Sequence, residues 1–121
     1  MTQGVKFFTV ETANQTLPLV KRIVDDIIAA GQALRSLSLE LGNKAEDSPE
    51  MNRLMDQMDE LFEELEALGC HYKDWNFSVG LVDFPAVVDG KEALLCWRSD
   101  EESVKYYHGV EEGFAGRKPV P

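Results

Sequence analysis

Between Asp83 and Arg117 the sequence gathers side chains able to hold a metal or an anion: Asp83, Cys96, Arg98, His108, Glu112 and Arg117. A carboxylate, a thiolate and an imidazole together suit zinc or iron, so Asp83, Cys96, His108 and Glu112 form one candidate ligand set. Their separation along the chain matches no recognised metal-binding spacing, which leaves their convergence to the tertiary fold. Asp83, Arg98, His108 and Arg117 form a second, overlapping set, a ligand site for a small anion held by guanidinium groups. Gly113 and Gly116 allow close backbone approach around Phe114, and Arg117 projects from the turn they make.

Each set also has a plainer reading. Asp83 and Arg98 make an ordinary cross-strand ion pair, His108 bonds a backbone group or Asp83, and Arg117 pairs with an acid while Phe114 plugs the edge of the core. No cofactor is assigned, and a divalent metal is the one these residues would take. Other chemistries lack their parts. There is no nucleophile elbow, no phosphate loop and no dinucleotide fingerprint. Cys70 and His71 are sequence neighbours, which on a strand point to opposite faces. Met51, Met55 and Met58 lie at helical spacing and read as packing rather than as copper ligands.

The elements that position these groups can be read from periodicity. A first helix is expected to start near Thr9, with Glu11 in its first turn. Pro18 implies either a short turn over 10–16 before the main helix or a kink. Val20, Val24, Ile27, Gly31, Leu34 and Leu41 recur at three-four spacing, with Ser38 in the seam and Leu17, Ile23, Ile28 and Leu37 widening it, a core-facing or coiled-coil-like stripe. Leu41-Gly42-Asn43 ends it, and 43–49 is read as loop. Ser48 and Pro49 open a second helix, and Gly69 stops it after Leu68. Its stripe is Met51, Leu54, Met55, Met58, Leu61, Phe62, Leu65 and Leu68. Two long helices with so short a connection are expected to be antiparallel neighbours.

From Cys70 the period becomes two. Asp89-Gly90 between the runs 79–88 and 91–98 is a strong hairpin signal. As a two-residue turn it sets Asp83 across from Cys96 and puts Val82, Phe84, Ala86, Ala93, Leu95 and Trp97 on one apolar face toward the helices. The other face carries Leu81, Asp83, Pro85, Glu92, Leu94, Cys96 and Arg98. His71–Trp75 is a candidate third strand, and Pro85 marks an edge or a bulge. Ser99 with Glu102 reads as a capping box for a short helix over 100–108, ended by Gly109. An irregular tail follows. The expected fold is therefore α+β, a single domain over 1–121, with a long helical hairpin at about 9–68 and a small antiparallel sheet and tail at about 70–121.

With 121 residues, the chain has room for one core. Its net charge of −10 is uneven. Nine acids stand against Arg53 alone between Glu46 and Glu66, giving −8 there. A field of that sign, without a basic stripe, excludes nucleic-acid binding. It leaves a basic protein as a conceivable partner. No apolar run is long enough for a membrane span, and the N-terminus has neither the basic start nor the apolar stretch of a signal peptide. Two cysteines, expected as reduced thiols, fit a cytoplasmic location.

Several strings in the C-terminal half, Gly80-Leu81-Val82-Asp83-Phe84-Pro85-Ala86, Cys96-Trp97-Arg98, His108 and Glu112-Gly113-Phe114-Ala115-Gly116-Arg117, resemble the bacterial domain of unknown function 2203. Phe8-Thr9, Ala13-Asn14 and Leu17-Pro18 resemble its opening, so the likeness spans essentially the whole chain. The sequence departs from that pattern at Thr12, where the family carries a second acid, which weakens a capping-box reading there. It also has Tyr107 where the family has tryptophan. The resemblance supports the fold and a bacterial cytoplasmic setting and implies no activity.

Two functions are therefore expected in competition. One is a non-enzymatic interaction or assembly module, a homodimer through wide apolar helix stripes. The other is a metal- or small-anion-binding domain, with room for an enzyme, whose site is the mixed hairpin face and tail.

Overall fold

The computed structural model describes residues 6–73 and 78–121. Helix α1 spans Val10–Leu41, a 3-10 segment spans Gly42–Asp47, and α2 spans Pro49–Leu68. Among the described residues five strands follow: β1 His71–Tyr72, β2 Leu81–Val88, β3 Lys91–Arg98, β4 Tyr106–Gly109 and β5 Lys118–Pro119. They pair antiparallel, in sequence order, as one meander. The α+β architecture is as expected. No helix of the described residues is long and apolar enough to cross a membrane.

Thr9 caps α1, accepting from the Thr12 amide at 3.0 Å, while the Thr12 hydroxyl takes the Thr9 amide at 2.9 Å. Both halves of a capping box are present. The departure at Thr12 does not cost the motif, because a hydroxyl at the third position does the work of the usual acid. Pro18 lies on the exposed face and the helix runs through it without a break. Asp89 and Gly90 have φ of 53° and 80°, the paired positive values of a two-residue hairpin turn. The β2–β3 register follows as read, with Val82 across from Trp97 and Asp83 across from Cys96.

Phe84, Leu95, Trp97 and Val82 are buried against Val20, Val24 and Ile27 of α1 and Leu65 of α2. Beyond Gly31 this changes. None of residues 32–57 is buried, so the apolar stripes of both helices are covered only in the halves nearest the sheet. The two helices pack on each other.

Other expectations need correction. The segment 100–108 is not a helix. It forms bends and then β4. The Ser99 expected to cap it is used elsewhere, its hydroxyl accepting from the Gly80 amide at 2.8 Å, and the bend that follows is held by the Trp97 indole donating to the Glu101 carbonyl at 3.0 Å. The candidate third strand is seen over His71–Tyr72, and its remainder at Asp74 and Trp75 lies outside the described residues. The loop 43–49 contains a 3-10 segment. Pro85 does lie where β1 no longer covers β2. There the Phe8 amide donates to the Pro85 carbonyl at 2.7 Å, and Phe8 bridges Ala86.

Asn14 of α1 and Val104 bind each other twice. The Val104 amide donates to Asn14 Oδ1 at 2.7 Å, and Asn14 Nδ2 donates to the Val104 carbonyl at 3.2 Å. This ties the start of the chain to the β3–β4 connection.

Candidate metal centre on the outer sheet face

The turn at Asp89-Gly90 fixes where Asp83 and Cys96 stand, and the β3–β4 pairing adds His108. Leu94 faces His108 and Cys96 faces Tyr106, so His108 is the diagonal neighbour of Cys96 on the face away from the helices. Asp83, Cys96 and His108 are all buried, at 4, 1 and 4% exposure. A carboxylate oxygen, the thiol sulfur and a ring nitrogen of these three lie within 4.8 Å of one another. They open onto a cavity of about 350 Å³ that is also lined by Lys73, Leu94, Glu112 and Phe114.

His108 Nε2 lies 3.2 Å from Asp83 Oδ1, and Nδ1 lies 2.9 Å from the Gly109 carbonyl. A carbonyl only accepts, so Nδ1 carries a proton. In the neutral ring Nε2 is then a lone pair aimed at Asp83, and a single proton is shared between the two. Burial raises the Asp83 pKa above the ordinary carboxylate range, and His108, the strongest opposing influence, does not fully offset it. Burial, with the Asp83 charge beside it, pushes the Cys96 thiol up to about 11. Burial therefore favours the neutral thiol of Cys96, the weaker nucleophile, in the metal-free protein.

Of the remaining candidates, Arg117 also reaches the trio, beside the Cys96 sulfur, although its main partner lies outside it. Arg98 does not meet Asp83. Its Nε lies 3.2 Å from Asp100 Oδ1, and its guanidinium lies 5.7 Å from the Phe114 ring centroid. Arg117 forms a two-pronged pair with Glu101 at 2.9 and 2.7 Å, stacked over Tyr106 and Phe114 at 4.2 and 4.1 Å. Glu101 is held below its usual range. Its partial burial works the other way and is outweighed by the Arg117 bonds and the Arg98 amide. Glu112 is exposed at the cavity mouth, its Oε1 accepting the Gly109 amide at 2.9 Å, and it does not join the buried trio. Of the plainer readings, His108 on a backbone group and on Asp83 and Arg117 on an acid are both seen, whereas the Asp83–Arg98 pair is not.

The sequence reading missed Glu101 as the acid that Arg117 meets, and it missed His71. By register His71 is Asp83's partner in β1 on the same face, although it is exposed. The adjacent β-forming aromatics Tyr106 and Tyr107 were a signal for β4.

The Asp83 shift gives a pH dependence with a definite sign. A carboxyl whose pKa is higher folded than unfolded adds stability that is complete below the unfolded pKa and is lost as pH rises through the folded one. Asparagine can keep the bond to Nε2 without ionising. In the presence of chelator, Asp83→Asn should therefore gain on the wild type in denaturant midpoint as the pH is raised from about 4 towards neutrality. A gap that is constant across that range would show that Asp83 ionises at the same pH in both states.

No curated protein and no solved structure matches the chain. A family model described as an uncharacterized conserved protein (DUF2203) matches residues 6–120.

Proposed function

The chain belongs to the DUF2203 family of uncharacterized conserved proteins, and since no activity comes with that membership, we propose on the strength of the buried trio that it is a transition-metal-binding domain. Asp83, Cys96 and His108 supply one oxygen, one sulfur and one nitrogen, a set suited to zinc or iron(II). The observation that carries this reading is the spacing of the two harder ligands. With metal bonds of about 2.0–2.1 Å, two corners of a tetrahedron stand roughly 3.3 Å apart. His108 Nε2 and Asp83 Oδ1 are 3.2 Å apart. The Nδ1 bond to Gly109 is the outer contact that holds a ligating ring in orientation.

Three protein ligands leave a fourth position toward the cavity, the arrangement of a site that exchanges water or a small molecule. The small-anion reading has less support, because Arg98 and Arg117 already face Asp100 and Glu101. In this reading the chain is one domain, with the two helices as a hairpin carrying the sheet. Two free, buried thiols suit a reducing cytoplasm.

The test is thermal denaturation of chelator-treated protein with Zn²⁺ and with Co²⁺. A ligand at a hundredfold excess over its Kd stabilises by about 2.7 kcal/mol, which for a domain of this size is on the order of 10 °C. Cys96→Ser and His108→Ala should lose that rise, and Cys96→Ser should also lose the sulfur-to-cobalt absorption. No rise with either ion in the wild type would overturn the proposal.

A further inference from the structure

We propose that the free end of the helical pair, residues 32–57, docks against the same segment of a second copy of this chain. The proposal does not depend on the metal centre, which lies on the far face of the sheet.

None of these 26 residues is buried, although α1 and α2 continue through them with apolar residues at core spacing. Leu39 is 82% exposed and Met55 53%. With Leu34 and Met51 they line an almost wholly apolar groove of about 440 Å³ between the helices. Helical segments this short are marginal in water without an apolar face covered by something else. The sheet ends too early to cover it, since the last buried position of α1 is Gly31 and the first of α2 is Met58.

Charge selects the occupant. The part of α2 next to the sheet carries Asp59, Glu60, Glu63, Glu64 and Glu66 with no basic residue, and it repels another copy of a chain of net charge −10. The free end carries both signs, with Arg35, Lys44 and Arg53 among Glu40, Glu46, Asp47, Glu50 and Asp56. It can meet its own copy with opposite charges facing and apolar grooves joined. A basic partner protein would instead favour the acidic half nearer the sheet.

The test is sedimentation equilibrium of the full chain over a range of concentrations, with the melting temperature followed alongside. A dimer is expected, with a melting temperature that rises with concentration because association stabilises the folded state. Leu39→Glu with Met55→Glu should give a monomer whose circular dichroism is unchanged, since both side chains are exposed in the single chain. Leu19→Glu, 45% exposed and next to the covered half, should leave the dimer intact. A wild type that stays monomeric at high micromolar concentration would overturn the proposal. So would a dimer that survives the double substitution.

Discussion

Trp97→Ala should destabilise the domain by about 3–5 kcal/mol, a large share of the roughly 5–15 kcal/mol that holds a typical domain folded. Trp97 is 1% exposed and is the largest fully buried side chain among the described residues. It stands across from Val82 on the face that meets the helices. Truncation would leave a cavity that two rigid layers cannot close, and it would also remove the donor to the Glu101 carbonyl. Trp97→Phe separates the two losses, because it keeps most of the volume and drops the hydrogen bond, and it should cost about 1–2 kcal/mol. Chemical denaturation of the three proteins measures both. A cost below about 1 kcal/mol for Trp97→Ala would mean that the sheet does not rest on the helices through this residue.

A single methyl group at Gly80 should be the second severe change. A Cβ there would run into Val24 Cγ1 of α1. Val24 is fully buried in the middle of the helix, and Gly80 is itself held by two bonds to Ser99, so neither side can readily retreat. Gly80→Ala is expected to cost roughly 1–3 kcal/mol by overpacking. Val24→Ala opens the space, so the double variant should be less destabilised than the sum of the singles, a coupling that a double-mutant cycle reads directly. Strict additivity would place the close approach elsewhere.

Local chemistry made much of this fold legible. Asp89-Gly90 gave the hairpin register, and with it the Asp83–Cys96 pairing. Ser48-Pro49 and Gly69 marked the ends of α2. What stayed hidden depends on partners distant in sequence. Ser99 and Glu102 spell a capping box, but the Ser99 hydroxyl goes to Gly80 and Val104 is pinned by Asn14, so tertiary bonds override the local preference for a helix. Arg98 was expected on Asp83 by register alone. The Asp100 carboxylate two residues away took it, and His108, carried in by a strand that had been read as helix, took Asp83. The candidate residues were therefore legible by type, while their pairing waited on β4.

The bond between Asn14 and Val104 bears on the order in which the molecule can assemble. Every strand pairs with its neighbour in sequence, so each ladder closes only a short loop and can form quickly. The contacts joining the first turns of α1 to the rest of the chain close the longest loops, and the entropy of loop closure places them late. On a ribosome, α1 and α2 leave the tunnel before any strand that could cover them. The apolar row from Leu17 to Ile27 then waits for β2 and β3, and its anchor waits for Val104. Throughout that interval the growing chain is a natural client for a chaperone that binds exposed aliphatic helices.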